Sequence, residues 1–193
     1  IAYTGAMQPR PSLECAAILA GGKSSRMGRE KALLRYENQP LIARVADVLR
    51  PLFSQIVVVS SKPEVASAAN LPAIADRFPD AGPLGGIHAA LAHFEAPVFV
   101  VGCDMPFIEA DFIEKMREQF DGKPLAPRHP NGAEPLHAIY TPQNLEFFET
   151  ILTSGHKIPA LHRVLEQIGA QYLSTVEVEI FENWNRPEDV RHR

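Results

Sequence analysis

Cys15-Ala16-Ala17-Ile18-Leu19-Ala20-Gly21-Gly22-Lys23-Ser24-Ser25-Arg26-Met27-Gly28-Arg29-Glu30-Lys31 is the stretch that decides how the chain is read. Its first five residues are apolar and read as a short parallel strand buried on both faces. A glycine-rich loop follows. Glycines let the backbone approach a ligand closely and turn successive N–H groups inward. Lys23, Arg26 and Lys31 set cations in the same loop, which suits a polyphosphate. The pattern is neither Gly-x-x-x-x-Gly-Lys-Ser/Thr nor Gly-x-Gly-x-x-Gly, the two familiar phosphate loops. A basic surface loop with turn glycines is the plainer alternative. The conjunction of strand, glycines and cations favours a nucleoside triphosphate.

Outward from this stretch the chain alternates strand and helix. Ala16–Leu19, Ile56–Val59, Ala73–Ala75 and Val98–Val101 read as parallel strands. Leu41-Ile42-Val45-Ala46-Leu49, Ile87-Ala90-Leu91 and Phe112-Ile113-Met116 keep helical spacing. Pro40 suits a first helical position. The alternation predicts an α/β fold, a single-domain Rossmann-like layered sheet that is mostly parallel. After Phe120 the rhythm changes. Asp121–Pro124 and Arg128–Gly132 are turn-rich, with a short strand at Leu125-Ala126 between them. A further strand is expected at Leu136–Tyr140, helices at Leu145–Leu152 and Ile158–Ile168, and edge strands at Tyr172-Leu173 and Val176–Ile180. Residues 15–120 therefore read as a nucleotide-binding half and 121–193 as an acceptor-side half of one domain. Residues 1–14 read as a tag remnant or disordered lead, with Met7 resembling a native start.

Composition narrows the function classes. The 193 residues are 46% hydrophobic and 22% charged, as in ordinary globular proteins. A net charge of −4 argues against a broad nucleic-acid-binding face, so phosphate binding must be local. Apolar runs fall short of a membrane span, and Ile1–Glu14 lacks the order of a signal peptide. The two cysteines, Cys15 and Cys103, both fall in expected buried strands. Free thiols there fit a reducing, cytoplasmic setting.

In open α/β sheets ligands sit beyond the carboxyl ends of the strands. Four segments fall at such ends: the glycine loop, Ser60-Ser61, Asp76 to Gly86, and Gly102-Cys103-Asp104-Met105-Pro106. Asp104 ends an apolar strand before a Met-Pro turn, so its carboxylate is expected at the sheet edge, where with phosphates it would hold Mg²⁺. A turn or helix cap is its plainer reading. Asp76 is open between a ribose contact and a turn cap. Gly82-Pro83-Leu84-Gly85-Gly86 reads as a tight turn into a helix, whose Gly82 and Gly85 bring backbone close to a base. Asn183 and Asn185 alternate around Trp184, so their amides share one side of an extended segment and offer a ligand both donors and acceptors. An Asx turn is the alternative. His88, His93, His129, His162 and His192 lack metal-ligand spacing and read as surface or structural.

Leu19-Ala20-Gly21-Gly22-x-Ser-x-Arg-Met-Gly…Lys31, Gly82-Pro83-Leu84-Gly85-Gly86 and Cys103-Asp104-Met105-Pro106 together resemble the MobA-like nucleotidyltransferases. The closing Phe181–Asp189 is similar to the molybdenum branch, the molybdenum cofactor guanylyltransferases. The resemblance implies the fold of the nucleotide-diphospho-sugar transferases. It also implies GMP transfer from GTP to the terminal phosphate of molybdopterin, with Mg²⁺ as cofactor and pyrophosphate released. It assigns GTP contacts to Leu19, Ala20, Gly21, Lys31, Asp76 and Asp104, with Ser60 where some members have Asn, and the metal to Asp104. The loop adds Gly22 to the GTP contacts. Lys23, Arg26, Lys31 and Asp104 form the catalytic set. His156 and Lys157 join Asn183 and Asn185 on the acceptor side. Departures are Glu30 for Asp, Arg186 for Thr, and His137 within Glu134-Pro135-Leu136-His137-Ala138, where members read His-Pro-x-x-Ala. The rivals are a pterin cytidylyltransferase, a sugar-phosphate nucleotidyltransferase and a non-catalytic GTP-binding assembly adaptor. Molybdoenzyme apoproteins or other cofactor-assembly proteins are the implied protein partners, with neither nucleic acid nor membrane.

Overall fold

The computed structural model describes residues 11–21 and 31–184. In chain order it comprises β1 (Cys15–Leu19), β2 (Arg35–Tyr36), β3 (Gln39–Pro40), α1 (Leu41–Leu49), β4 (Gln55–Val59), α2 (Pro63–Ala69), β5 (Ala73–Ile74) and α3 (Pro83–Phe94). There follow β6 (Val98–Gly102), α4 (Ala110–Gln119), β7 (Leu125–His129), β8 (Gly132–Ala133), β9 (His137–Tyr140), α5 (Leu145–Thr153), α6 (Leu161–Gln167) and β10 (Gln171–Ser174). The main sheet runs β10-β7-β9-β6-β1-β4-β5, with β8 paired to β7. β6, β1, β4 and β5 are mutually parallel. β9 is antiparallel to both β6 and β7, so β7 and its parallel neighbour β10 point the same way as β6. The carboxyl edge therefore extends across both halves of the chain.

Burial explains the strand composition. All five residues of β1 and of β6 are buried, because helices cover both faces. Ile18, Val58 and Phe99 face α1, α2 and α4. Ala17, Val57 and Val100 face α3, α5 and α6. Each fully buried Ile or Val contributes about 1.5–3 kcal/mol relative to exposure, so the centre of the sheet is a rigid base for the loops above it.

Several local expectations are corrected. Val176–Ile180 is not an edge strand: Glu177 N–H donates to Thr175 Oγ1 at 3.0 Å, and Glu179–Phe181 forms a 3-10 turn. Consecutive Ile180 and Phe181 are both buried, which a strand with one solvated face would not allow. Arg128 and His129 belong to β7 rather than a turn, and pair with β8 in a hairpin. α6 starts at Leu161, not Ile158, since the residue before Pro159 is steered from helical geometry. Pro40 precedes α1 in extended geometry (φ −58°, ψ 141°) instead of opening it. Cys103 lies just past β6, and both cysteines are buried and free.

Candidate active site at the carboxyl edge of the sheet

The ends of β6, β1, β4 and β5 deliver Asp104, Gly21, Ser60 and Asp76 in that spatial order. Across the β1, β4 and β5 ends opens a cavity of about 240 Å³ whose lining includes Leu19, Gly21, Ser60, Asp76, Gly82 and Gly86. Its apolar surfaces come from Leu19, Val59 and Pro83, and its polar groups from Ser60, Ser61, Asp76 and Asp80.

Each of these groups is held by a local reason. Ser60 is buried; its N–H donates to the Ile74 carbonyl at 3.1 Å and its Oγ accepts from Lys62 N–H at 3.1 Å. Asp76 Oδ1 accepts from Phe78 N–H at 2.7 Å, a tight Asx turn. Gly85 lies behind that carboxylate: a Cβ there would sit 2.6 Å from both Asp76 Oδ2 and the Phe78 carbonyl. Gly85 thus supports the cavity wall, whereas Gly82 and Gly86 line the space itself. Gly82 has φ +64° and ψ −150°, a region reached essentially by glycine alone, and Pro83 opens α3 immediately after it. Beneath the loop, buried His88 meets Phe78 edge-on at 5.3 Å. Burial pushes the His88 imidazole below its ordinary pKa, the nearby Glu149 carboxylate opposing.

At the other side of β1, Lys31 Nζ stands 3.8 Å from Asp104 Oδ2. Burial raises the Asp104 pKa above the usual carboxylate value, and the Lys31 charge pulls it partly back. Gly102 makes room for this carboxylate, since a Cβ would lie 2.8 Å from Asp104 Oδ1. Ala20 N–H is used by the Val59 carbonyl at 3.1 Å, which leaves Gly21 as the exposed backbone of the described loop.

Some groups around Asp104 have no local sequence signal. Trp184 N–H donates to the Asp104 carbonyl at 2.8 Å. The indole meets Tyr36 and Phe107 edge-on at 5.0 and 5.3 Å. Arg44 Nε donates to the Pro106 carbonyl at 2.7 Å and its guanidinium lies over Tyr36. The Asp104 turn is thereby clamped by three remote segments. A turn with open carbonyls after a conspicuous Asp was the available hint.

The acceptor-side residues are placed differently. Exposed Asn183 donates through Nδ2 to the Phe181 carbonyl at 3.3 Å. His156 and Lys157 are exposed between α5 and α6. Gly22, Lys23, Arg26 and Asn185 lie outside the described residues. His137, fully buried, faces Phe99, Phe112 and Phe181, and neither ring nitrogen has a hydrogen-bond partner.

For a cation, the described residues hold no cluster of three or more His, Cys, Asp or Glu. Asp104 offers one shielded carboxylate. Mg²⁺ characteristically takes one or two carboxylates and completes its shell with phosphates and water, so this donor set fits a cation carried by a nucleotide. No helix among the described residues is long and apolar enough to cross a membrane.

A mostly parallel sheet with a glycine-lined cavity and a carboxylate–lysine pair along one edge defines a nucleotidyltransferase. The chain belongs to the MobA-like NTP transferase domain family, whose sequence profile matches residues 16–174. It is 37% identical over 183 residues to the probable molybdenum cofactor guanylyltransferase of Pelotomaculum thermopropionicum, covering 90% of this chain and 88% of that one. It is 35% identical over 170 residues to the molybdenum cofactor guanylyltransferase of Syntrophotalea carbinolica, covering 86% and 80%. Among solved structures, molybdopterin-guanine dinucleotide biosynthesis protein A of Archaeoglobus fulgidus superposes with a TM-score of 0.75 at 28% identity, over 91% of this chain and 94% of that one.

Proposed function

We propose that this protein transfers GMP from GTP to the terminal phosphate of molybdopterin, forming the guanine dinucleotide and releasing pyrophosphate. The observation that carries the reading is the order along the carboxyl edge: a cavity at β4 and β5, then Gly21, then the Lys31–Asp104 pair at 3.8 Å. Neighbouring strands are about 4.8 Å apart, so β5 to β6 spans roughly 14 Å. A nucleoside triphosphate laid along that edge has its base in the cavity and its phosphates beside Asp104. The names of the relatives suggest the guanylyl group, and that of the Archaeoglobus fulgidus protein the molybdopterin.

Asp104 is the residue to hold Mg²⁺, which when bound supplies Lewis-acid neutralisation of phosphate charge. Lys31 offsets charge on the phosphates from the opposite side, with Lys23 and Arg26 assigned to the leaving pyrophosphate. The acceptor is a phosphate monoester with a second pKa of about 6, already ionised at neutral pH. No general base is required, and the site's task is alignment and electrostatic stabilisation. Leu19, Gly21, Gly22, Ser60, Asp76 and Gly82 serve the nucleotide, with Ala20 and Gly85 behind them. Asn183, Asn185, His156 and Lys157 serve the acceptor, which places it on the residue 121–193 side.

The deciding experiment incubates the protein with molybdopterin, Mg²⁺ and each nucleoside triphosphate in turn. Guanine dinucleotide and pyrophosphate are expected from GTP. A cytosine dinucleotide from CTP, or nucleotide binding without pyrophosphate, would replace this reading.

A further inference from the structure

We propose that Arg44 is a positioning residue for the Lys31–Asp104 pair, with α1 holding both partners from one helix; this rests on the role given to Asp104 above. The two partners come from separate segments, and each is tied to α1 by a different device. Lys31 opens a 3-10 turn, Lys31–Leu33, whose Ala32 is buried in the same core as Ile42, Val45 and Ala46 of α1. Leu34 N–H closes that turn on the Lys31 carbonyl at 3.0 Å. Leu41 N–H, the first of α1, then donates to the Leu34 carbonyl at 2.8 Å. Lys31 thus reaches the helix through backbone bonds. Asp104 reaches it through a side chain: two residues beyond it, the Pro106 carbonyl accepts Arg44 Nε–H at 2.7 Å, across 62 positions of sequence.

The bond suits the task. Proline has no N–H, so its carbonyl is the one backbone group by which this residue can be held. A guanidinium donating at 2.7 Å makes a short, charge-assisted bond, and its planar fork fixes direction as well as distance. The guanidinium also lies over the Tyr36 ring, 5.0 Å from its centroid. Tyr36 in turn meets Phe107, the residue after Pro106, edge-on at 5.9 Å. Carbonyl and ring therefore fix the same turn from one side. The ion pair with exposed Glu37, at 3.7 Å, adds little. Neither Arg44 nor Pro106 lines the cavity at the β4–β5 end. Loss of the arginine therefore falls on the placement of Asp104 against Lys31, and hence on turnover and Mg²⁺ use, rather than on nucleotide binding.

The test compares wild type with Arg44→Met, which keeps an apolar stem and removes every donor, and Arg44→Lys, which keeps the charge without the fork. Pyrophosphate release with GTP and molybdopterin gives kcat, KM for GTP and the Mg²⁺ concentration for half-maximal rate. The melting temperature of each ligand-free variant checks the fold. Arg44→Met is expected to lose about 10- to 100-fold in kcat, the scale of an ångström-sized misplacement, and to need more Mg²⁺, with KM for GTP unchanged. Arg44→Lys is expected to fall between the two at the wild-type melting temperature, and it decides alone if Arg44→Met does not fold. A purely structural arginine gives a lower melting temperature while the folded protein keeps its kcat and Mg²⁺ requirement. That result overturns the proposal, as does a loss confined to GTP affinity. Asp104→Asn separates this inference from the reading beneath it. If that variant keeps normal turnover and Mg²⁺ dependence, the role of Asp104 falls and this one with it. If it loses both while folded Arg44 variants keep theirs, the assignment of Arg44 alone is overturned.

Discussion

The two ends of the carboxyl edge are built on different principles. At the β4–β5 end, glycines and short hydrogen bonds shape an enclosed space: Gly85 backs Asp76, Gly86 lies against Leu19, and Gly82 takes a backbone geometry that other residues avoid. The candidate acceptor groups, by contrast, are exposed side chains on loops, Asn183 after a 3-10 turn and His156 and Lys157 between helices. Asp104 stands between the two, its turn held by Trp184 and Arg44. The contrast implies that the cavity at the β4–β5 end is formed before any ligand arrives, whereas the groups proposed for the acceptor settle on theirs.

The most severe way to break this arrangement is at its midpoint. Asp104→Asn is expected to lower turnover at least about a thousandfold, by removing the charge proposed to hold the cation against the phosphates. The ligand-free protein should melt no lower, since a desolvated charge has been removed. Near-normal turnover with normal Mg²⁺ dependence would make Asp104 a turn residue. Gly102→Ala tests the same point by steric means. The new methyl would meet Asp104 Oδ1, and a displacement near 1 Å is expected to cost roughly a hundredfold in kcat with little change in GTP affinity.

The acceptor end should respond more gently and selectively. Asn183→Ala is expected to weaken molybdopterin binding about threefold to a hundredfold, the range for one lost hydrogen bond, and to leave GTP binding intact. Equal loss of both ligands together with early melting would make Asn183 a structural turn residue.

The smallest expected effect concerns stability. Burial among aromatic rings pushes the His137 pKa from 6.5 down to about 3. A folded pKa below the unfolded one means that the unfolded chain binds the proton first. The stabilisation is complete above about pH 6.5 and is lost as pH falls from there towards 3. Between pH 7 and pH 5 the loss from His137 is about 2 kcal/mol. His88 shifts in the same direction. Urea unfolding of His137→Leu at both pH values should show a shallower decline than wild type, and an equal decline would remove His137 from the account.

Much of the nucleotide end was legible because its signals are local. A run such as Cys15–Leu19 can only be a strand covered on both faces, and a carboxylate directly after such a strand, as at Asp104, must emerge at the edge. The glycines of residues 82–86 announce a turn into a helix. What escaped depends on segments that meet only in the folded chain. Tyr36, Phe107 and Trp184 come from three distant stretches, and no periodicity links them. His137 occupies a strand position that alternation alone would give to any residue, and only the arrival of Phe112 and Phe181 makes it a buried, unpartnered ring. Val176–Ile180 has strand-like composition, yet Thr175 turns the chain and Phe181 is drawn into the aromatic cluster.

Trp184 is the chain's single tryptophan, and its backbone is bonded to the residue assigned to the cation. Its indole rests against two rings anchored on other segments, Tyr36 and Phe107. The molecule therefore carries an intrinsic optical gauge beside the Asp104 turn, between the two proposed substrate sites. Any step that moves the Asp104 turn alters the surroundings of one fluorophore, so the order in which nucleotide, cation and acceptor arrive can be timed in the unlabelled protein by stopped-flow emission.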